Sequence, residues 1–171
     1  MTLIKNPIGS ATALGQNATI EVTPTITANS AYSSGMAIGG VMTLQGAVSQ
    51  QNGHSRLEGM VLLDRANQKP AGYLIFFEAK PGVSGVGVWT DKTQVVAGSD
   101  DINICGVVPV SSADWVTIPG TTRALADVPY AGRLMQGQDA AALYAVFVTI
   151  STPTFNTNND FKAEFKFSYA D

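Results

Sequence analysis

The chain has 171 residues, a formal net charge of −3, and only 13% charged residues, about half the share of roughly 25% usual for globular domains. It has no Lys/Arg block and no apolar run near the roughly 18 residues of a membrane helix, so neither nucleic acid nor a membrane is expected as a partner. With one cysteine and one histidine, a disulfide framework and a Cys/His zinc cluster are also excluded.

Residues 1–17 are expected to form an extended arm, and residues 18–171 a single domain. The arm holds Pro7 and shows no sustained periodicity. It carries no continuous apolar segment of the secretory-signal kind. Its apolar residues Ile4, Pro7, Ile8 and Leu14 suit contact with the parent domain or with a neighbouring molecule.

Ala18 to Ala28 reads as the first strand, with Pro24 marking an edge or a bulge. Tyr32 to Gly40 reads as a glycine-rich bend, and Val41 to Val48 as the next strand. Gln50 to His54 carries an Asn-Gly turn signal. Leu57 to Asp64 and Ala71 to Ala79 follow as strong strands. The second is apolar on both faces, as a central strand would be.

Pro81 to Gly87 is a glycine-rich loop, and Ser99 to Ile102 predicts a single capped helical turn. Ile104 to Val110, Trp115 to Ile118 and Thr121 to Val128 are further extended runs. Leu143 to Ile150 is apolar on both faces, whereas Phe161 to Tyr169 alternates strictly. Phe161, Ala163, Phe165, Phe167 and Tyr169 point one way, and Lys162, Glu164, Lys166 and Ser168 the other. These last two runs are expected to pair antiparallel. Eight or nine short strands with almost no helical periodicity define an all-β sandwich or barrel. Phe76, Leu143, Phe147, Phe165 and Phe167 are its expected core.

Catalytic inventory is sparse. His54 stands in a Gln/Asn/Gly turn, a solvated place poorly suited to a held general base. Cys105 lies in an apolar strand, where a thiol is a packing group. Asp91, Asp100 and Asp101 are carboxylates of the type that bind calcium, but turn and capping roles account for them equally. Trp89, Trp115 and Tyr130 would form a stacking platform for sugar rings if exposed, and core residues if not. No cofactor and no catalytic residue is expected.

Several stretches together resemble one family. They are Thr25 to Ala28, Ala31-Tyr32 with Gly35, Gly39 and Gly40, Gly59 to Gln68, and Leu74 to Pro81. Thr90-Asp91, Ile104 to Asp114, Leu143 to Phe155 and Asp160-Phe161 complete the set. In these stretches the chain resembles the small all-β virion proteins that decorate, or cement, the capsids of tailed bacteriophages. It departs from that pattern in a longer Pro81 to Trp89 loop, at Gly98 to Asp101, and in the arm.

The resemblance implies a jelly-roll-like antiparallel sandwich on the outer surface of the virion. It would bind the major capsid protein, commonly as a homotrimer, and stabilise the shell without chemistry. Contact candidates are the arm residues Ile4, Pro7, Ile8 and Leu14, the loop residues Val83, Val86 and Trp89, and Phe155. The alternatives are a carbohydrate-binding sandwich used in host adhesion and a head–tail adaptor or tail subunit.

Overall fold

A computed structural model of the chain describes residues 17–82, 89–95, 103–129 and 132–170. Ten strands follow in order. They are β1 (Asn17–Val22), β2 (Ala37–Gln45), β3 (His54–Asp64), β4 (Gly72–Phe77), β5 (Ile104–Val110), β6 (Trp115–Thr117), β7 (Ala124–Pro129), β8 (Leu134–Gln136), β9 (Ala142–Thr149) and β10 (Phe161–Tyr169). No α-helix occurs among the described residues; a 3-10 turn, Ser112–Asp114, lies between β5 and β6.

The strands form two antiparallel sheets. The six-stranded sheet has the order β1-β10-β3-β7-β6 with β8 also on β3, and the four-stranded sheet has the order β2-β9-β4-β5. The pairings are nested: β4 with β5, β3 with β7, β2 with β9, and β1 with β10. One half of the chain therefore runs back along the other as a long ribbon, which rolls up so that successive strand pairs of the ribbon fall in alternate sheets. That is the jelly-roll arrangement, with β6 and β8 added to the rim of the larger sheet.

This nesting corrects one expectation. β9 and β10 are not a pair, because β9 lies between β2 and β4, and β10 between β1 and β3. They meet through side chains across the core, with Phe147 and Phe161 centroids 5.4 Å apart. The Asn-Gly signal likewise makes a tight turn, with Asn52 at φ 61° and the Gly53 amide donating to Gln50. It carries the chain from one sheet to the other rather than closing a hairpin.

Strand ends differ where non-local contacts decide them. β5 and β10 have the expected bounds. β1 stops at Val22, and the chain then leaves the sheet at Thr23-Pro24 to cross the end of the sandwich. Ile26, Asn29 and Tyr32 donate backbone bonds to Asn158, Phe155 and Pro153 of the β9–β10 connection. β2 begins earlier than expected, because Gly39 and Gly40, at φ 74° and 67°, form a bulge inside the strand.

Between the sheets lies the main core, and Phe76, Leu143, Phe147, Phe165 and Phe167 are all fully buried in it. On β10, Phe161, Ala163, Phe165 and Phe167 face this core, as the alternation required. β9 is buried at every position. Leu143, Ala145 and Phe147 point into the main core, whereas Ala142, Tyr144, Val146 and Val148 enter a second, smaller cluster outside the sheet with Phe77 and Trp89. Part of the β4–β5 connection, residues 89–95, thus lies over the outer face of the four-stranded sheet.

Candidate interaction surface

The two sheets differ in charge. None of the residues of β2, β4, β5 and β9 is charged. Among the described strands every Asp, Glu, Lys and Arg belongs to the six-stranded sheet. On its outer face Lys162 pairs with Glu21 at 2.5 Å, and Glu58, Arg56, Lys166 and Asp127 are exposed. Charged groups lose solvation when covered, so the neutral sheet is the face that costs least to bury against another molecule.

Half of that neutral outer face is already covered. Trp89 packs edge-on against Phe77, with centroids 4.9 Å apart. Among the described residues its Nε1 has no hydrogen-bond partner. The covering segment is tied down by Asp91. One Asp91 oxygen accepts from the Thr27 amide and hydroxyl at 2.8 and 2.6 Å. The other accepts from the Tyr32 hydroxyl at 2.7 Å and the Gly39 amide at 2.6 Å. With four donors on it, this carboxylate acts as a clamp.

The other half of the face is open. The cross-strand pairs Tyr73–Pro109 and Ile75–Val107 lie on its β4 and β5 side, beyond the buried Val148 and Val146 of β9. Tyr73 is 43% exposed, Val107 47%, and Ile150, just past β9, 52%. Pro109 is exposed beside them. A depression of about 380 Å³ opens at this end, lined by Ala71, Tyr73, Pro109, Ser111, Ser112 and Ile150. Its floor is Gly72, where a Cβ would come within 2.2 Å of the Val148 carbonyl oxygen. Exposed apolar side chains gathered at one place, without charge, have the composition of a contact surface.

Of the residues expected from the sequence to make contacts, only Trp89 and Phe155 are among the described residues. Ile4, Pro7, Ile8, Leu14, Val83 and Val86 lie outside the described residues, as do Asp100, Asp101, Tyr130 and the turn expected at 99–102. Trp89 is 2% exposed and Phe155 0%, so neither side chain is presented to a partner. Trp89 is the plug of the outer cluster. Phe155 sits edge-on to Tyr32 at 5.8 Å and to Phe161 at 6.2 Å, closing the end of the sandwich. Trp115 is buried too, and its Nε1–H donates to the Pro70 carbonyl at 3.1 Å.

Nothing in the sequence singles out Tyr73, Val107, Pro109 and Ile150, because they belong to continuous apolar runs. Such a run reads identically whether its outer side is covered or bare. The available signal was the absence of charge from four whole strands, which appears only once the strands are sorted by sheet.

The titratable groups near the core are structural. Asp64 accepts from the Ala66 and Lys69 amides at 2.9 and 2.7 Å, holding the β3–β4 loop. Burial raises its carboxyl above the ordinary range despite these bonds, and Asp160 adds to the rise. Asp160 accepts from the Asn156 and Thr157 amides and the Thr157 hydroxyl at 2.8, 2.9 and 2.6 Å. Burial opposes its ionisation, but the Thr157 and Asn156 bonds and the charge of Arg65 outweigh it, and the carboxyl lies below its ordinary value. Burial, then the charge of Glu78, pushes the Cys105 thiol up to about 12, so it is protonated at neutral pH and is no nucleophile. Burial, then the bond to Asp91, likewise raises the Tyr32 phenol. His54 opens β3 opposite Gln136. Among the described residues no group of three His, Cys, Asp or Glu side chains is placed to hold a metal ion.

Comparison with protein-family models, with curated proteins and with solved structures finds no match to this chain.

Proposed function

We propose that this protein is a structural virion component that binds the outside of an assembled tailed-phage capsid and stabilises it as a decoration protein. The observation that carries the reading is the uncharged four-stranded sheet, with Tyr73, Val107, Pro109 and Ile150 open at one end of its outer face. A cement protein needs such a face and a stiff body behind it. It requires no reactive group. The sequence resemblance to phage decoration proteins points the same way.

The physical principle is linkage. A molecule that binds the assembled lattice and not its free subunits raises the stability of the assembly by mass action. Several modest apolar contacts per copy suffice when copies are joined, because avidity multiplies affinity by about 10² to 10⁴ without a new type of contact. The major capsid protein is the proposed partner, and a homotrimer the proposed working form.

Jelly rolls occur in lectins as well as in capsids, so the fold alone does not choose between adhesion and cementing. The carbohydrate reading loses its support here. Two of its three platform residues, Trp89 and Trp115, are buried and stack on no sugar. The adaptor or tail-subunit reading differs mainly in location and ring symmetry.

Imaging of purified particles with labelled protein tests the proposal. Label spread over the whole shell, and heads that rupture at a lower temperature after the protein is stripped, are the expected results. Label at a single vertex would favour the adaptor, and intact heads without the protein would end the cement reading.

A further inference from the structure

We infer that β1 pairs edge to edge, antiparallel, with β1 of a second copy of this chain, joining two six-stranded sheets across a two-fold axis. Neither the capsid reading nor the neutral face enters into this. What carries it is which sheet edges are blunted and what β1 presents.

An open strand edge offers a row of backbone donors and acceptors, and proteins blunt such edges with proline, bulges, short strands or cover. Five of the described strands, β1, β2, β5, β6 and β8, have a single strand neighbour. Four of them carry such a device. β5 holds Pro109, which has no N–H to give a neighbour. β2 is bent by the bulge at Gly39 and Gly40, and its start is already engaged. There the Ala37 amide donates to Thr93, and the Lys92 and Val95 amides donate to Ala37 and Gly35. β6 and β8 are three residues long. β1 has six residues with no proline, glycine or lysine, and it follows β10 in unbroken register. Its one charged side chain, Glu21, is paired with Lys162.

That asymmetry selects the occupant. A second copy brings the same five edges, four of them blunted, so the strand that fits β1 is β1 itself. Two like edges meet about a two-fold axis. With the axis at Thr19, the two Thr19 residues face each other, Asn17 faces the other copy's Glu21, and Ala18 faces its Ile20. Hydroxyl meets hydroxyl, amide meets carboxylate, and no like charges are opposed.

The core calls for the same neighbour. Ala18, Ile20 and Val22 pack on the main core but are only partly buried; among the described residues no strand lies beyond them. Directly opposed residues project to the same face of a sheet, so the second copy's Ala18 and Ile20 extend that cover. A two-fold contact does not close a trimer. A trimer made through another surface would be joined by β1 to a second one.

The test uses the full chain in solution. Sedimentation should show an even-numbered oligomer. Thr19→Cys should form a disulfide between copies under mild oxidation, since opposed residues approach closely enough for one. Asn17→Cys and Glu21→Cys should each cross-link poorly alone and well when mixed. Cys105 is buried and does not compete. Thr19→Glu faces Lys166 within its own chain, which suits the fold, but it sets like charges against each other at the axis. It should weaken association about tenfold or more while the β10 amides keep their exchange protection. A monomeric protein would overturn the inference. So would an oligomer indifferent to Thr19→Glu, or cross-linking of Thr19→Cys no faster than that of Asn17→Cys. Exchange protection of every β1 amide in a monomer would show that the chain covers its own edge, and would overturn it as well.

Discussion

The Asp91 carboxylate receives the Gly39 amide at 2.6 Å, and this bond fastens the segment over the outer sheet face to the bulge of β2. The positive φ of Gly39 and Gly40 belongs to that bulge. The carboxylate also holds Thr27 and Tyr32, whose segment closes the end of the sandwich. One side chain therefore joins the segment over the outer face to two pieces of chain, Thr27–Tyr32 and Gly39, that lie 52 to 64 residues earlier in sequence.

Replacing Asp91 by Ala strands the Gly39 amide and two hydroxyls, and leaves the Thr27 amide with the Tyr32 hydroxyl oxygen as its acceptor. A hydrogen bond to a charged group contributes about 1.5–3 kcal/mol, and partly buried donors left unpaired add to the loss. Urea unfolding of Asp91→Ala should show a loss of about 3 kcal/mol, with Asp91→Asn intermediate. Amide exchange should quicken first at Gly39 and in residues 89–95. A variant as stable as the parent would mean the clamp is ornamental.

Gly72 should tolerate no side chain. Its Cβ position lies 2.2 Å from the Val148 carbonyl and 2.9 Å from the Phe147 ring, and both belong to the fully buried β9. Overpacking of this kind costs about 1–3 kcal/mol. Gly72→Ala should lower the melting temperature, while Gly59→Ala, whose nearest neighbour would be 3.7 Å away, should change it far less.

Asp64 and Asp160 should shape the pH dependence of stability in opposite senses. The Asp160 carboxyl is lowered on folding. Its contribution is full above the unfolded value near 3.9 and is lost as pH falls through the lower folded value. The Asp64 carboxyl is raised, so the folded chain holds that proton to higher pH than the unfolded chain. Stability then declines as pH rises from about 3.9 through the folded value. Unfolding midpoints measured across pH 2–8, on the order of one unit apart, should show the deficit of Asp160→Asn widening with pH and that of Asp64→Asn narrowing. Parallel trends would refute the assignment.

Cys105 should behave as a core residue. Its thiol is buried and pushed up to about 12, so a thiol reagent should label the native protein at neutral pH only as fast as the domain opens. Labelling in urea should be faster by orders of magnitude. Rapid native labelling would mean that β5 frays far more readily than its packing against β4 implies.

The sequence alone determined the material of this fold. Strict alternation at Phe161 to Tyr169 specified a strand with one core face, and the doubly apolar runs at Tyr73 to Phe77 and Leu143 to Ile150 specified central strands. Both readings are local, because a side chain's direction along a strand repeats every two residues. Together with the scarcity of charge they led to an all-β sandwich of jelly-roll type.

Pairing and cover were decided only in three dimensions. β9 and β10 are neighbours in sequence, yet the nested ribbon sends them to opposite sheets, because each finds its backbone partners far away along the chain. Trp89 and Phe155 read as loop residues open to a partner and are core, since the loops that carry them fold back over an apolar surface. Tyr73 and Ile150 belong to runs that read as apolar on both faces, yet both are exposed, as is Val107, since the same covering segment stops short of them. A residue's burial depends on what arrives from elsewhere to cover it, and strand periodicity carries no record of that arrival.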